Sequence, residues 1–379
     1  MLYQNVCLEA FACTLPEEIV TSEQIEGWLN PLYSRLKLPE GRLELMSGIA
    51  QRRFWPRDML PSQKSVETAE KAIRIAGLDK RHVGALIHGS VCRDYLEPAT
   101  ACGVHHRLGL PGNCAIYDVS NACLGLLNGI VQVANMIELG QIRAGVVAGT
   151  ESSRALVETT VKQLNCDTSL TRRDVKSAVA SLTIGSGSAA VVLTDRQLSR
   201  TGNRLLGGVV RAETSHCKLC QSDRDQSANP GMQPLMSTDS ETLMQEGIAV
   251  GKEAFAAFLK EMNWELDDVD KTFCHQVGRA HRKLMLDAFG LNPESDYSTL
   301  EYLGNTGSVA LPITAALGIE NGHLNKNDRV ALLGIGSGIN VVMLAVDWQR
   351  SPTQQQPTLA GPHKIKARSP LQTTSNRNQ

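Results

Sequence analysis

At 379 residues, 42% hydrophobic and 20% charged, the chain is too long for one core and too ordinary in composition for a disordered or fibrous protein. Its net charge of −1 leaves no electrostatic footprint for nucleic acid or an anionic membrane, and no apolar run reaches the length of a membrane span. Met1–Phe11 lacks the basic flank and long apolar core of a signal peptide, so a cytoplasmic protein with free thiols is expected.

Residues 3–20 are β-like up to Pro16. Thr21-Ser22-Glu23-Gln24 then has the form of a capping box opening a helix through Trp28. Residues 31–64 are irregular with short helical pieces and contain Ser47-Gly48-Ile49-Ala50-Gln51-Arg52-Arg53. Val66, Ala69, Ile73 and Ala76 share one face of a helix over 62–76. A buried strand follows at Val83–Gly89, then a loop Ser90–Pro98 carrying Arg93, Asp94 and Glu97. Thr100–Leu108 is a helix and Ala115–Val119 a strand.

Asp118–Gly149 organises this half. A strand ends, a tight turn holds Cys123, and Leu124, Leu127, Ile130, Val131, Ala134, Ile137 and Leu139 recur at helical spacing until Gly140. Val146–Ala148 is a short buried strand closed by Gly149. A thiol at the start of that helix is expected to have a lowered pKa, because the helix dipole and free N–H groups favour thiolate. Residues 154–181 are polar and partly helical. Gly185-Ser186-Gly187-Ser188 leads into a strand Ala189–Leu193.

The second half repeats the plan. A helix Glu246–Met262, a strand Val269–Cys274 ending at His275, and a helix 279–289 precede the turn Gly304-Asn305-Thr306-Gly307. A helix Val309–Ile319 and a strand Val330–Leu333 lead to Gly334-Ile335-Gly336-Ser337-Gly338. Matching strands of the halves are about 185 residues apart, which is a duplication too long for a solenoid. Parallel-rich sheets covered by helices are expected. The halves are placed at 1–196 and 197–350. From Ser351 to Gln379 the chain is rich in Pro, Gln, Ser and Thr and is expected to be a disordered tail. Cys217-x-x-Cys220, preceded by His216, is one pair without a second; no metal or cofactor is assigned.

Taken singly, each candidate has a plain structural reading: Cys123 as a buried core thiol, His275 as a strand-end histidine, Asn305 as a left-handed turn residue. Taken together on a duplicated plan, they would meet where the halves join. The thiolate could attack a thioester, and His275 and Asn305 could polarise a second thioester carbonyl as an enolate develops. Backbone N–H groups at Cys123 and in the Gly336-Ser337-Gly338 turn could form the oxyanion hole. The glycine-rich turns lack the lysine of a P-loop and the spacing of a dinucleotide-binding fold.

The motifs Ser47–Arg53, Asn121-Ala122-Cys123, Gly185–Ala190, Cys274-His275-Gln276, Gly304-Asn305-Thr306-Gly307 and Gly336-Ser337-Gly338 resemble those of the thiolase superfamily, in particular the ketoacyl synthase III type, over about residues 1–350. The resemblance implies a five-layered αβαβα fold, a homodimer and a Cys123–His275–Asn305 triad. Ser90–Pro98 and Gly334–Asn340 are more closely similar to the head-to-head acyl-CoA condensing enzymes of bacterial long-chain olefin biosynthesis. That likeness implies an acyltransferase that joins two fatty acyl thioesters to a 2-alkyl-3-oxo acid through an acyl-cysteine, without decarboxylation. Glu97 would then reach the partner subunit's site as base, and Ser337 would lie beside the nucleophile. The alternative is a decarboxylative 3-oxoacyl-carrier-protein synthase III. The chemistry separates the two: malonyl thioester yields a carbanion by losing carbon dioxide, whereas plain acyl thioesters need a base for the α-proton. Gly336-Ser337-Gly338 departs from the triple glycine of many ketoacyl synthases. The implied substrates are fatty acyl-CoA or acyl-carrier protein.

Overall fold

A computed structural model describes residues 1–223 and 233–352. The tail expected after Ser351 therefore falls, from residue 353 on, outside the described residues. Nine strands form one sheet: β1 (Val6–Thr14), β2 (Val83–Gly89), β3 (Ala115–Val119), β4 (Ala144–Glu151), β5 (Gly187–Asp195), β6 (Arg204–Ala212), β7 (Lys271–Cys274), β8 (Arg329–Gly336) and β9 (Asn340–Asp347), in the order β3-β2-β4-β5-β1-β6-β9-β8-β7. The main helices are α1 (Pro61–Ala76), α2 (Thr100–Leu108), α3 (Gly125–Glu138), α4 (Ser240–Met262), α5 (Arg279–Phe289) and α6 (Ala310–Glu320).

The sheet pinches between β1 and β6, where a single ladder pair among the described residues, Cys7 with Arg204, joins the strands. On either side the order is the same: β3-β2-β4-β5-β1 matches β7-β8-β9-β6, except that among the described residues the second series lacks a counterpart of β3. A lone bridge between Thr272 and Asp296 stands in that place. The expectation of mostly parallel pairing needs correction. Only β2–β3, β2–β4 and β7–β8 are parallel, and the remaining five neighbours are antiparallel. The tight β8–β9 turn and the long return from β4 through 154–182 both reverse the chain before it re-enters the sheet.

Burial alternates along the strands because both faces are covered. In β8, Val330 and Leu332 face the central core with α3 and α6, whereas Ala331 and Leu333 face α4 and α5. On the other side of the molecule, Val146 and Ala148 of β4 pack with α1 and α2. The layers are thus α1/α2, the first series of strands, α3/α6, the second series, and α4/α5. Leu126, Leu127, Ile130, Val133 and Ile137 bury α3 in the central layer, each contributing about 1.5–3 kcal/mol. Glycine lets the layers close: a Cβ at Gly334 would meet Leu127 Cδ1 at 2.5 Å, and one at Gly129 would meet Val147 Cγ1 at 2.5 Å. Among the described residues no helix is long and apolar enough to cross a membrane.

Candidate active site

Cys123 sits on a constrained turn between β3 and α3. Ala122 before it has φ 44°, a left-handed conformation that a side-chain-bearing residue adopts only at a cost. Asn121 braces the turn. Its Nδ2 donates to Asn128 Oδ1 of α3 at 2.8 Å, and its Oδ1 accepts from Asn340 Nδ2 at 3.2 Å. Asn340 Nδ2 also lies 3.2 Å from Ser337 O, so one amide links the cysteine turn to the β8–β9 turn. Gly336 has no side chain because a Cβ there would meet Cys123 Cβ and Leu124 Cγ at 3.2 Å. The cysteine turn and the β8–β9 turn are therefore adjacent, a meeting of the two strand series.

The expected lowering of the Cys123 pKa is not found. Burial pushes the thiol up to about 12, reinforced by Cys220 and Glu151 nearby. The backbone N–H groups of Ser337 and of Cys123 itself act in the opposite direction but do not prevail. The helix begins only at Gly125, so desolvation outweighs its dipole. The resting sulfur is a thiol, and its activation requires an acceptor for the proton.

His275 follows β7, its backbone N–H bonded to Leu333 O at 3.0 Å, which holds it beside the strand that ends against Cys123. The residue is 3% exposed, and among the described residues neither ring nitrogen has a hydrogen-bond partner. Burial, aided by His281, holds its pKa down at about 3, so the imidazole is neutral. A buried ring with both nitrogens unpartnered is costly to a fold and useful to a reaction. Gln276 fixes the strand end, accepting from Thr299 N at 3.0 Å and donating to Tyr297 O at 3.1 Å.

Asn305 is 7% exposed and is not left-handed; the positive φ values belong to Gly304 and Gly307. Its backbone is bonded on both sides to the chain before β5, through Thr183 O at 3.1 Å and Gly185 N at 2.8 Å. A Cβ at Gly185 would lie 2.0 Å from Leu303 O, which explains the glycine-rich run as a close approach beneath Asn305. Asn305 Oδ1 accepts from Gly307 N at 2.9 Å, so the carboxamide is oriented with its Nδ2 hydrogens facing the opposite way.

Glu97 lies on an exposed loop with Val91, Tyr95 and Leu96, all of them exposed. Among the described residues no ion pair joins it to Arg93.

Two residues lie near the sulfur that the sequence does not connect with it: Cys220, known there only as half of a Cys-x-x-Cys pair, and Glu151. Cys220 opens a short strand, accepts from Thr238 Oγ1 at 3.4 Å and contributes to the Cys123 environment. Glu151 ends β4, which runs past Gly149 with every residue buried. A carboxylate closing a wholly buried strand was the available signal.

Comparison with known proteins places the chain. Residues 49–183 match the N-terminal domain of thiolases, and residues 259–348 match the C-terminal part of 3-oxoacyl-[acyl-carrier-protein] synthase III. The acyl-CoA:acyl-CoA alkyltransferase of Shewanella oneidensis is 41% identical over 92% of this chain and 100% of its own. That of Xanthomonas campestris is 35% identical over 92% and 100%. A cysteine-to-serine variant of Xanthomonas campestris OleA, solved with lauric acid and lauroyl-CoA, superposes with a TM-score of 0.86 at 34% identity, covering 92% of this chain and 100% of that one. With that overlap in sequence and fold, the chain belongs to the acyl-CoA:acyl-CoA alkyltransferase family of the thiolase superfamily.

Proposed function

We propose that the protein joins two fatty acyl-CoA molecules head to head into a 2-alkyl-3-oxo acid, with Cys123 as nucleophile. The observation that supports this reading is the seam itself: Gly336 of one strand series lies against Cys123 of the other, and the strand that ends at Gly336 also holds, through Leu333 O, the backbone of His275, a buried neutral imidazole without hydrogen-bond partners among the described residues.

The Cys123 thiol attacks the first thioester carbonyl and passes its proton to His275. The C–S bond to CoA breaks, CoA leaves as its thiol with that proton, and Cys123 is acylated. N–H groups of Cys123 and Ser337 stabilise the oxyanion. A second acyl-CoA then places its carbonyl oxygen against His275 and Asn305 Nδ2. Glu97 of the partner subunit removes the α-proton, and the carbanion attacks the acyl-cysteine carbonyl. As the C–C bond forms, the Cys123 C–S bond breaks, the α-proton taken by Glu97 is returned to the departing sulfur through solvent, and water cleaves the remaining thioester to give the acid and a second CoA as its thiol.

This reading includes a homodimer, a cytoplasmic location and no nucleic-acid partner. Residues 1–196 form the half that carries the nucleophile and 197–350 the half that carries His275 and Asn305. A raised thiol pKa and a depressed imidazole pKa favour a neutral pair that exchanges its proton only during attack.

The test is incubation of the protein with one long-chain acyl-CoA and no other carbon source, followed by mass analysis of protein and organic extract. A Cys123 adduct together with the β-keto acid, or the ketone formed on its spontaneous loss of carbon dioxide, is expected. Product only on addition of malonyl-carrier protein, with carbon dioxide released in step with turnover, would replace this reading by the decarboxylative one.

A further inference from the structure

Glu151 is 4% exposed, and its carboxylate reaches two separate segments. Oε1 accepts from Val91 N at 2.9 Å and from Ser308 Oγ at 2.5 Å, with Ser308 N at 3.4 Å; Oε2 accepts from Cys92 N at 3.2 Å. Val91 and Cys92 are the foot of the loop that presents Glu97. Ser308 belongs to the turn that holds Asn305. Space around the group is tight, since a Cβ at Gly307 would meet Glu151 Cγ at 3.3 Å. Cys92 is clamped further by Ser152, whose N–H lies 3.4 Å from Cys92 Sγ and whose carbonyl lies 3.6 Å from it. The other foot of the loop is held by Asp94, whose N–H donates to Thr100 Oγ1 at 3.2 Å and whose Oδ1 accepts from Ser62 N at 2.9 Å. Between the two feet, Tyr95, Leu96 and Glu97 stand exposed.

Burial raises the Glu151 pKa, and the hydrogen bonds from Ser308, Val91 and Cys92 oppose that rise. With Oε1 accepting from Val91 and Ser308 and Oε2 from Cys92, the carboxylate is committed to these two segments. Its geometry is that of an anchor.

We infer that Glu151 is a positioning residue for the condensation step, one carboxylate that fixes both the loop presenting Glu97 and the turn presenting Asn305. The inference rests on the condensing reaction proposed above. It separates two steps. Acylation of Cys123 uses the cysteine turn, the N–H groups around it and His275, none of which Glu151 hydrogen-bonds; its charge only raises the thiol pKa, so removing that charge does not slow acylation. Carbon–carbon bond formation uses Asn305 and Glu97, which stand on the two segments it does hold. In a dimer, each Glu151 would align its own Asn305 and the base delivered to the other site.

The experiment reads the ratio of condensed product to Cys123 adduct in single-turnover reactions with myristoyl-CoA. Glu151→Gln keeps the shape but turns one acceptor into a donor facing the N–H groups of the loop. Adduct formation within about threefold of wild type is expected, with product lower by about thirtyfold or more. Ser308→Ala cuts only the turn-side tie, and about a fivefold lower ratio is expected. Because both changes act through one carboxylate, the double variant should be no worse than Glu151→Gln alone. An unchanged ratio in Glu151→Gln, or adduct and product falling by the same factor, overturns the inference. If Glu151→Gln does not fold, as judged by melting temperature and elution volume, Ser308→Ala decides: a lowered ratio supports the inference and an unchanged one ends it. If wild type condenses only with malonyl thioester, the proposed reaction has failed, and the same ratio measured with that substrate judges the Asn305 tie by itself.

Discussion

The two strand series follow one plan, and the comparison between them shows how a repeated fold acquires an asymmetric site. Cys123 and Asn305 occupy matching places, each just ahead of a central-layer helix. The turns that hold them differ. The Cys123 turn is forced by Ala122 at φ 44° and braced by side-chain amides of Asn121, Asn128 and Asn340. The Asn305 turn is flanked by Gly304 and Gly307, which carry the positive φ values themselves, and is pinned through its backbone to 183–185. The edges differ too. The first series ends in β3, whose Asp118 accepts from the first N–H groups of α2 at 2.7 and 2.9 Å. The second has only the Thr272–Asp296 bridge, with the buried Asp296 carboxylate paired to Arg282 Nε at 2.6 Å. A strand has been replaced there by an ion pair and a loop, while the strand end that carries His275 is kept. The repeat supplies the frame, and local departures from it supply the chemistry.

The sharpest way to break the comparison is at the sulfur. Cys123→Ala should abolish the acyl adduct and lower product formation by at least about a thousandfold, read by intact-protein mass and product analysis. Residual product at more than a few per cent of wild type would place the nucleophile elsewhere. Glu97→Ala should leave the adduct in place and lower condensation by about a hundredfold, seen as accumulating acyl-enzyme. Loss of adduct in that variant would count against its role as base.

Gly336→Ala tests the contact between the two series. Its methyl would meet Cys123 Cβ and Leu124 Cγ at 3.2 Å, so about 1–3 kcal/mol of overpacking and about tenfold slower acylation are expected. Equal acylation rates would show that the two turns are free to part.

The smallest effect is on stability. Burial depresses His275 to about 3 and His281 and His88 to about 4. As pH falls below about 6.5, the unfolded chain binds protons that the folded one refuses, so stability declines with acid. The melting temperature should be flat near pH 7–8 and drop between about pH 6.5 and 4, and His281→Phe should soften that slope. A melting temperature constant down to pH 4 would show that these rings take protons without unfolding.

Much of this was legible in the sequence because periodicity and glycine punctuation are strong signals. The Thr21–Gln24 capping box emerges as read, and so does the α3 pattern up to Ile137, whereas Leu139, expected on the apolar face, caps the helix and is exposed. The β6 strand did not, because Arg204–Ala212 mixes exposed and buried positions without clean alternation. The Cys123 pKa was misjudged because helix position can be read from spacing, whereas desolvation depends on what packs above the residue. Glu151 was overlooked for the same reason: its partners Val91, Cys92 and Ser308 come from segments that no local pattern connects. The family motifs supplied candidates for the site, and the three-dimensional contacts show how their turns are held.

The most direct measurement is a rapid-quench single turnover of His275→Ala/Asn305→Ala with carbonyl-labelled acyl-CoA beside wild type. The account predicts labelled Cys123 in both, formed more slowly in the variant, with condensed product lower by at least about a hundredfold in the variant. Condensed product at the wild-type rate, or no labelled cysteine in wild type, would contradict a site divided between a sulfur on one strand series and an imidazole and carboxamide on the other.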